Sequence, residues 1–182
     1  MIWVLVAVIV VLLCVVGFLV ARQRRSAQLR EGFGPEYDRV VQERGDQRAA
    51  EAELRERRDR RRQYDIRPLE ESARKHYAER WEDTQRRFVD QPASAVAEAD
   101  GLIGEVMRER GYPVEDFDQR AADLSVDHSE VVEHYRSAHA LSGANGHQNA
   151  STEDLREAMV HYRALFADLL DDNARTEVKE IK

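Results

Sequence analysis

The feature that most constrains this chain is an uncharged run at residues 2–21. The twenty residues contain no charged and no hydroxyl side chain. At 1.5 Å per residue a helix of this length spans about 30 Å, which is the thickness of the hydrocarbon core of a bilayer. Inside lipid the backbone must satisfy its own hydrogen bonds, so we expect a helix although valine and isoleucine are abundant. The sequence therefore predicts a transmembrane anchor at residues 1–21.

The flanks of this run distinguish an anchor from a cleaved signal peptide and indicate its orientation. A signal peptide has a basic segment before an apolar core of about 7–15 residues. Here the core is longer, and the basic side chains follow it as Arg22, Arg24 and Arg25. The positive-inside rule then places the C-terminal part in the cytoplasm, with these arginines near anionic lipid headgroups. The inverted topology, with an external module, is the alternative.

Charge divides the rest of the chain into a basic and an acidic part. Residues 22–63 hold 13 arginines and 9 acidic residues, whereas the net charge of the whole chain is −7. We expect a basic juxtamembrane stalk helix at 22–63, an acidic helical bundle at 64–172 and a flexible tail at 173–182. Breakers at 32–35 and at Gly45-Asp46 divide the stalk. Because it is polar nearly all round, the stalk either bridges solvent or lies along another surface.

The arginine-rich stretch at 55–62 resembles a nucleic-acid patch at first sight. Glu56 and Asp59 interrupt it, however, and the remainder of the chain is acidic. Interleaved charges of this kind are typical of a solvated or lipid-facing helix. The sequence therefore predicts no nucleic-acid partner.

Helical periodicity fills residues 64–172. One apolar stripe recurs every three or four positions and includes Tyr77, Trp81 and Phe88. Gly111 after a basic turn, with Pro113 two residues on, predicts the end of a helix. No segment alternates with period two, so the fold class is predicted to be all-α, with four to five helices in this bundle.

The polar residues with the most chemical potential are histidines and aspartates in the second half of the chain. They are Asp123, Asp127, His128, His134, His139 and His161. Imidazole and carboxylate groups bind divalent metals or move protons. His134 and His139 are five residues apart, so they do not share a helix face. We therefore assign no catalytic, cofactor-binding or metal residue, and we interpret Asp127 with Glu130 as a capping pair for the next helix.

The motif His-Tyr-Arg occurs twice, at 134–136 and at 161–163. Two helices of similar pattern joined by a short loop are expected to pack as an antiparallel hairpin. Two copies of three residues do not define a repeat protein.

The functional hypothesis is a membrane-anchored helical interaction or scaffold protein with an unidentified protein partner and no cofactor. The candidate interaction surface consists of Tyr112, Pro113, Asp123, Asp127 and His128. The alternative is a small-ligand or metal sensor, or an enzyme, that uses the region of Asp123, Asp127, His128 and His134.

Several longer motifs resemble a family of uncharacterised bacterial proteins with one N-terminal membrane segment. They are FGPEYDR at 33–39, RGYP at 110–113, QRAADLSVDH at 119–128 and LREAMVHYRALFADLL at 155–170. The resemblance implies a bacterial plasma-membrane setting. The family carries no established activity, so the resemblance implies no catalytic residues. Its members are sometimes labelled secreted, which conflicts with the cytoplasmic orientation.

Overall fold

The computed structural model describes residues 2–142 and 150–171. The side chains of residues 2, 4–11 and 18 lie outside this description, and so does the predicted tail at 173–182. Within the described ranges every regular element is an α-helix, and there is no strand. The all-α prediction is confirmed.

Eight helices make up the described part of the chain. They are α1 (Ile2–Phe33), α2 (Pro35–Arg44), α3 (Gln47–Arg61), α4 (Glu71–Arg87), α5 (Pro92–Arg110), α6 (Phe117–Asp127), α7 (Val132–Ser142) and α8 (Thr152–Asp171). In the region predicted to be a bundle of four to five helices, the structure has five, α4 to α8.

The chain forms two compact units, Met1–Glu56 and Arg57–Lys182. The division into anchor, stalk, bundle and tail remains a prediction. Among the residues that the structure describes, no helix has both the length and the apolar character needed to cross a membrane. The predicted span at residues 2–21 is not supported by that finding.

In the first unit, two glycines break the predicted stalk into helices. Gly34 has φ of 49° and Pro35 takes the first position of α2, where its missing N–H costs nothing. Gly45 has φ of 65° and ends the same helix. Both residues have a positive φ, which favours glycine. The breakers predicted at 32–35 and at Gly45 are therefore confirmed.

The boundary between the two units falls inside α3, after Glu56. Glu51 links α1, α2 and the part of α3 that belongs to the first unit. Its carboxylate accepts hydrogen bonds from Ser26 Oγ of α1 (2.5 Å), Tyr37 Oη of α2 (3.1 Å), Gln47 Nε2 (2.9 Å) and Arg55 Nη2 (2.9 Å). Burial alone would raise the pKa of Glu51. The hydrogen bonds from Ser26, Gln47 and Tyr37, together with the charge of Arg55, hold that pKa below its ordinary value.

The second unit has one apolar core, to which α4 to α8 all contribute. The predicted stripe of α4 faces it, since Tyr77, Trp81 and Thr84 are buried. The ring of Trp81 stacks on Phe166 of α8, with ring centroids 4.5 Å apart. Helix α8 packs against both α5 and α7.

The end of α5 fixes the segment that follows α3. Gly111 caps the helix with φ of 96°, which confirms the predicted stop. A Cβ atom at this position would lie 2.4 Å from the carbonyl oxygen of Asp65. A backbone hydrogen bond joins the same two parts of the chain, because Arg67 N donates to Arg110 O at 3.0 Å. Only glycine fits this close approach without a shift of the backbone.

Candidate functional site

A group of hydrogen-bonded polar side chains in the second unit surrounds α6, and we call it the α6 polar cluster. Three features bring it together: the last turns of α3, the end of α5 and the C-terminal part of α8. Its members are Arg57, Arg60, Arg61, Tyr64, Arg110, Tyr112, Gln119, Asp123, Ser125, Asp127, His128 and Asp168.

Asp123 is fully buried in this cluster and acts as a common acceptor. It receives hydrogen bonds from Gln119 Nε2 at 2.9 Å, Arg60 Nε at 3.2 Å and, at the longer distance of 3.5 Å, Tyr64 Oη. Burial and the Asp123 charge raise the pKa of Tyr64. The carboxylate therefore ties α6 to the end of α3 and to the segment that follows.

Asp127, one helical turn further on, makes the second connection. Its Oδ2 atom accepts hydrogen bonds from Arg61 Nε and from Tyr112 Oη, the latter at 2.7 Å. The guanidinium of Arg61 also lies over the Tyr112 ring, 5.9 Å from its centroid. Burial opposes the charge on Arg61, but the hydrogen bond and charge of Asp127 outweigh it and raise the Arg61 pKa. Burial, followed by the Asp127 charge, raises the pKa of Tyr112, so the phenol remains a donor.

His128 is fully buried between an aspartate and an arginine. Its Nδ1 lies 2.5 Å from Asp168 Oδ2, and its Nε2 lies 3.5 Å from Arg110 Nη1. Because a guanidinium only donates, this arrangement favours the tautomer in which Nδ1–H donates to Asp168 and Nε2 accepts. Arg110 Nη1 also donates to the carbonyl oxygen of Leu169 at 3.1 Å. The imidazole thus connects the end of α6 to α8.

An aspartate that orients a histidine is also half of a catalytic triad. In a triad, the second imidazole nitrogen faces a nucleophile that gives up a proton. In this cluster that nitrogen faces Arg110, whose guanidinium does not lose its proton in proteins. The geometry therefore fits a structural connection better than a general base.

The structure brings most of the predicted interaction residues together but turns them inward. Tyr112, Asp123 and His128 are buried, whereas Pro113 and Asp127 keep partial exposure. Tyr112 contacts Asp127 directly, and its ring centroid lies 6.4 Å from that of His128. Whether these residues form an interaction surface remains a prediction, but only Pro113 and Asp127 are open to direct contact.

The other histidines of the sequence-based set lie elsewhere. His139 stacks on Phe117, with ring centroids 3.7 Å apart. His134 meets His161 across α7 and α8, with 2.8 Å between their Nδ1 atoms. Among the described residues, no three histidine, cysteine, aspartate or glutamate side chains are grouped so that they could hold a metal ion.

The interpretation of Asp127 and Glu130 as a capping pair is wrong. Asp127 is the last residue of α6, His128 caps that helix, and α7 begins only at Val132. The carboxylate of Asp127 is used by Arg61 and Tyr112 instead. A long-range ion pair has thus taken the place of a local cap.

Sequence reasoning missed the arginines of the cluster. It assigned 55–62 to solvent or lipid, but Arg57 is buried and Arg60 and Arg61 pair with α6. A signal was present, because Arg57, Arg60 and Arg61 are spaced three and four apart and share one helix face. Asp123 and Asp127 show the matching spacing of four. The alternative prediction, that the polar stalk lies along another surface, agrees with these last turns of α3.

A second polar group is buried between α5, α6, α7 and α8. The hydroxyls of Tyr135 and Tyr162 are buried close to Asp100. Burial, then the nearby Asp100 charge, raises the pKa of both tyrosines. Arg120 lies over the Tyr135 ring at 5.7 Å.

Comparisons with known proteins do not identify the chain. No family model, no curated protein and no solved structure matches it.

Proposed function

We propose that this protein is a membrane-anchored helical interaction protein. Residues 2–21 hold it in a bilayer, Arg22, Arg24 and Arg25 lie at the headgroups, and the acidic second unit is presented to a protein partner in the cytoplasm. The observation that carries the proposal is the exposed apolar surface of α1. Six described side chains there are 44–66% exposed: Leu12, Leu13, Val15, Val16, Leu19 and Val20.

This surface differs from the rest of the same helix. Leu29 and Phe33, two and three turns later, are both only 3% exposed. The later part of α1 thus packs within its own unit, while the earlier part leaves adjacent leucines and valines uncovered on all sides. A contiguous apolar surface of this kind is typical of a membrane or protein contact. Lipid is favoured because the whole run at 2–21 lacks charge.

The position of the arginines supports the same arrangement. Arg22, Arg24 and Arg25 are exposed and follow directly on the apolar part of α1. Near an anionic bilayer surface each arginine contributes about 1 kcal/mol of attraction. Trp3, at the other end, is exposed as expected of an interfacial aromatic anchor.

The α6 polar cluster supports an interaction role for the second unit over a catalytic one. Asp123, Asp127 and His128 are hydrogen-bonded to arginines, a tyrosine and Asp168 of the same unit. The sensor or enzyme alternative needs these groups for a ligand, and His134 lies on α7 beside His161 instead. A partner docking on this side of the unit would meet Pro113 and Asp127.

Alkaline extraction of bacterial membranes that contain the full chain tests the anchor. We expect the wild-type chain to stay in the membrane pellet. Replacing both Leu12 and Val16 by arginine costs about 5–7 kcal/mol at the centre of a span and should release the chain. The matched control, Leu12→Ala with Val16→Ala, should remain in the pellet. A wild-type chain that washes into the supernatant would refute the proposal.

A phosphatase fused to the C-terminus tests the orientation, because the reporter is active only outside the cytoplasm. We expect an inactive reporter in the wild type. Changing Arg22, Arg24 and Arg25 to glutamine should increase its activity, since these charges set the orientation. An active reporter on the unchanged chain would establish the inverted topology.

A further inference from the structure

We propose that His134 and His161 form a two-histidine site for a divalent transition-metal ion of the Ni²⁺ and Cu²⁺ type. The two residues lie on neighbouring helices of the second unit, α7 and α8. Their Nδ1 atoms are 2.8 Å apart and their ring centroids 5.0 Å apart. Both side chains are partly exposed, so an ion can reach them from solvent.

The distance between the two nitrogens is short enough for them to share one ion. Two nitrogens bound at about 2.05 Å are about 2.9 Å apart at right angles and about 3.3 Å apart in a tetrahedron. The observed 2.8 Å lies in the ordinary hydrogen-bond range, so small side-chain rotations are enough to admit an ion between the rings. The affinity of nitrogen ligands rises from Mn²⁺ to Ni²⁺ and Cu²⁺, which favours these two ions at a site with few protein ligands.

The other nitrogen of His161 has an acceptor in the position that metal-binding histidines commonly use. His161 Nε2 lies 3.8 Å from Glu157 Oε1, one helical turn earlier on α8. A histidine that binds metal through one nitrogen usually donates the N–H of the other to a carboxylate or carbonyl, which orients the ring. At 3.8 Å the two atoms are too far apart for a hydrogen bond, but the exposed Glu157 side chain can move closer and accept the Nε2–H hydrogen bond when Nδ1 carries the metal.

The proton balance of the exchange is simple. Without metal, one ring donates Nδ1–H to the Nδ1 lone pair of the other. When the ion binds, both Nδ1 lone pairs bond to it, and the donating ring shifts to its Nε2–H tautomer by exchange with solvent. Two rings that are neutral before binding stay neutral, so the ion replaces one hydrogen bond with two metal–nitrogen bonds. Water supplies the remaining ligands.

The neighbours of the pair in the chain fix the two helix segments that carry it. The adjacent Tyr135 and Tyr162 are fully buried, with ring centroids 6.2 Å apart. Each histidine therefore projects from a helix face that the core already fixes. The two copies of His-Tyr-Arg lie next to each other here, since their histidines and their tyrosines pair across α7 and α8. This arrangement does not depend on the proposed membrane anchor.

Metal titration of the untagged full-length chain in detergent micelles tests the site. We expect one Cu²⁺ or Ni²⁺ per chain, with an electron paramagnetic resonance spectrum of Cu²⁺ that shows two nitrogen ligands. Losing either imidazole removes chelation, so His134→Gln and His161→Gln should each weaken binding by about 100-fold. The double variant should bind at least as weakly as either single variant, because it also loses the one remaining imidazole. Glu157→Gln should weaken binding by about 10-fold.

His76→Gln and His139→Gln are the matched controls, because neither histidine belongs to the pair. Both should bind like the wild type, and circular dichroism of each variant without metal shows whether it is folded. If one variant of the pair does not fold, the other still decides. Wild-type binding by a folded His134→Gln or His161→Gln chain would overturn the proposal, and so would the absence of saturable binding by the wild type.

Discussion

Replacing Asp123 by alanine should destabilise the second unit by about 3 kcal/mol. The carboxylate is fully buried and accepts hydrogen bonds from Gln119 and Arg60, with Tyr64 at a longer distance. Removing one partner of a buried ion pair costs about 3–5 kcal/mol. The side chain of Arg60 is 29% exposed and water can reach it when the Asp123 carboxylate is removed, which places the effect at the lower end.

Two further substitutions separate this mechanism from a general effect on α6. Asp123→Asn keeps the shape and one acceptor oxygen but turns an amide N–H₂ toward a donor, so we expect about half the loss. Asp118→Ala removes an exposed carboxylate from the first turn of the same helix. Its loss of helix-dipole stabilisation should stay near 0.5 kcal/mol.

Urea unfolding followed by the fluorescence of Trp81 measures these changes in the correct unit. Trp81 stacks on Phe166 in the core of that unit, and Trp3→Phe makes it the single tryptophan. The midpoint should fall while the slope with urea stays constant. A loss below about 1 kcal/mol for Asp123→Ala, or an equal loss for Asp118→Ala, would refute the role assigned to Asp123.

Three further measurements test other parts of the structure. Gly111→Ala should lower the free energy of unfolding by about 2 kcal/mol or more, because φ is 96° and the added Cβ would meet the carbonyl oxygen of Asp65. Gly101 lies in a helix with open space around it, so Gly101→Ala should raise the free energy of unfolding by about 1 kcal/mol. In an absorbance titration of the folded chain, all six tyrosines should ionise above pH 10. The chief reason is burial, which raises the pKa of each tyrosine, to about 12 for Tyr77. The unfolded chain ionises first, so the tyrosine contribution to the free energy of unfolding should be complete below pH 10 and fall as the pH rises further. A tyrosinate signal at pH 10 equal to that of the urea-unfolded chain would contradict this. The pKa of Glu51 is lowered in the folded chain. Its contribution to the stability of the first unit is therefore complete above the ordinary pKa of 4.5 and disappears as the pH falls through the folded pKa. The helix content of Glu51→Gln should thus differ from that of the wild type at neutral pH and converge with it in acid.

Helices and their ends are the part of this fold that the sequence predicts well. The stripe through Tyr77 and Trp81 follows the helical period, and these side chains are buried as expected. Gly34, Gly45 and Gly111 end or separate helices because their backbones have positive φ. Such signals depend on residues close together in the chain, so one sequence is sufficient to interpret them.

The candidate site was predicted only in part, because its contacts join distant residues. Asp123, Asp127 and His128 were selected for their chemistry, and the structure places them in one cluster. Their partners Arg60 and Arg61 lie more than 60 residues away in the chain. A single sequence gives the charges of both segments but not their pairing, so the arginines were assigned to solvent or lipid.

The misreading of α3 has a specific physical cause. Its buried positions follow the helical period through Ala50, Leu54 and Arg57, so burial continues where apolar side chains end. A search for apolar periodicity stops at Leu54, because it treats every arginine as exposed. An arginine can occupy a buried position of this kind, because its methylene stem packs like an apolar side chain while its guanidinium donates to a buried acceptor. For Arg57 that acceptor is Ser125 Oγ, 3.3 Å from Nη1. Some arginine-rich segments continue the helical spacing of an apolar stripe. Before such a segment is assigned to solvent, lipid or nucleic acid, the chain should be searched for acidic residues spaced by four that could pair with it.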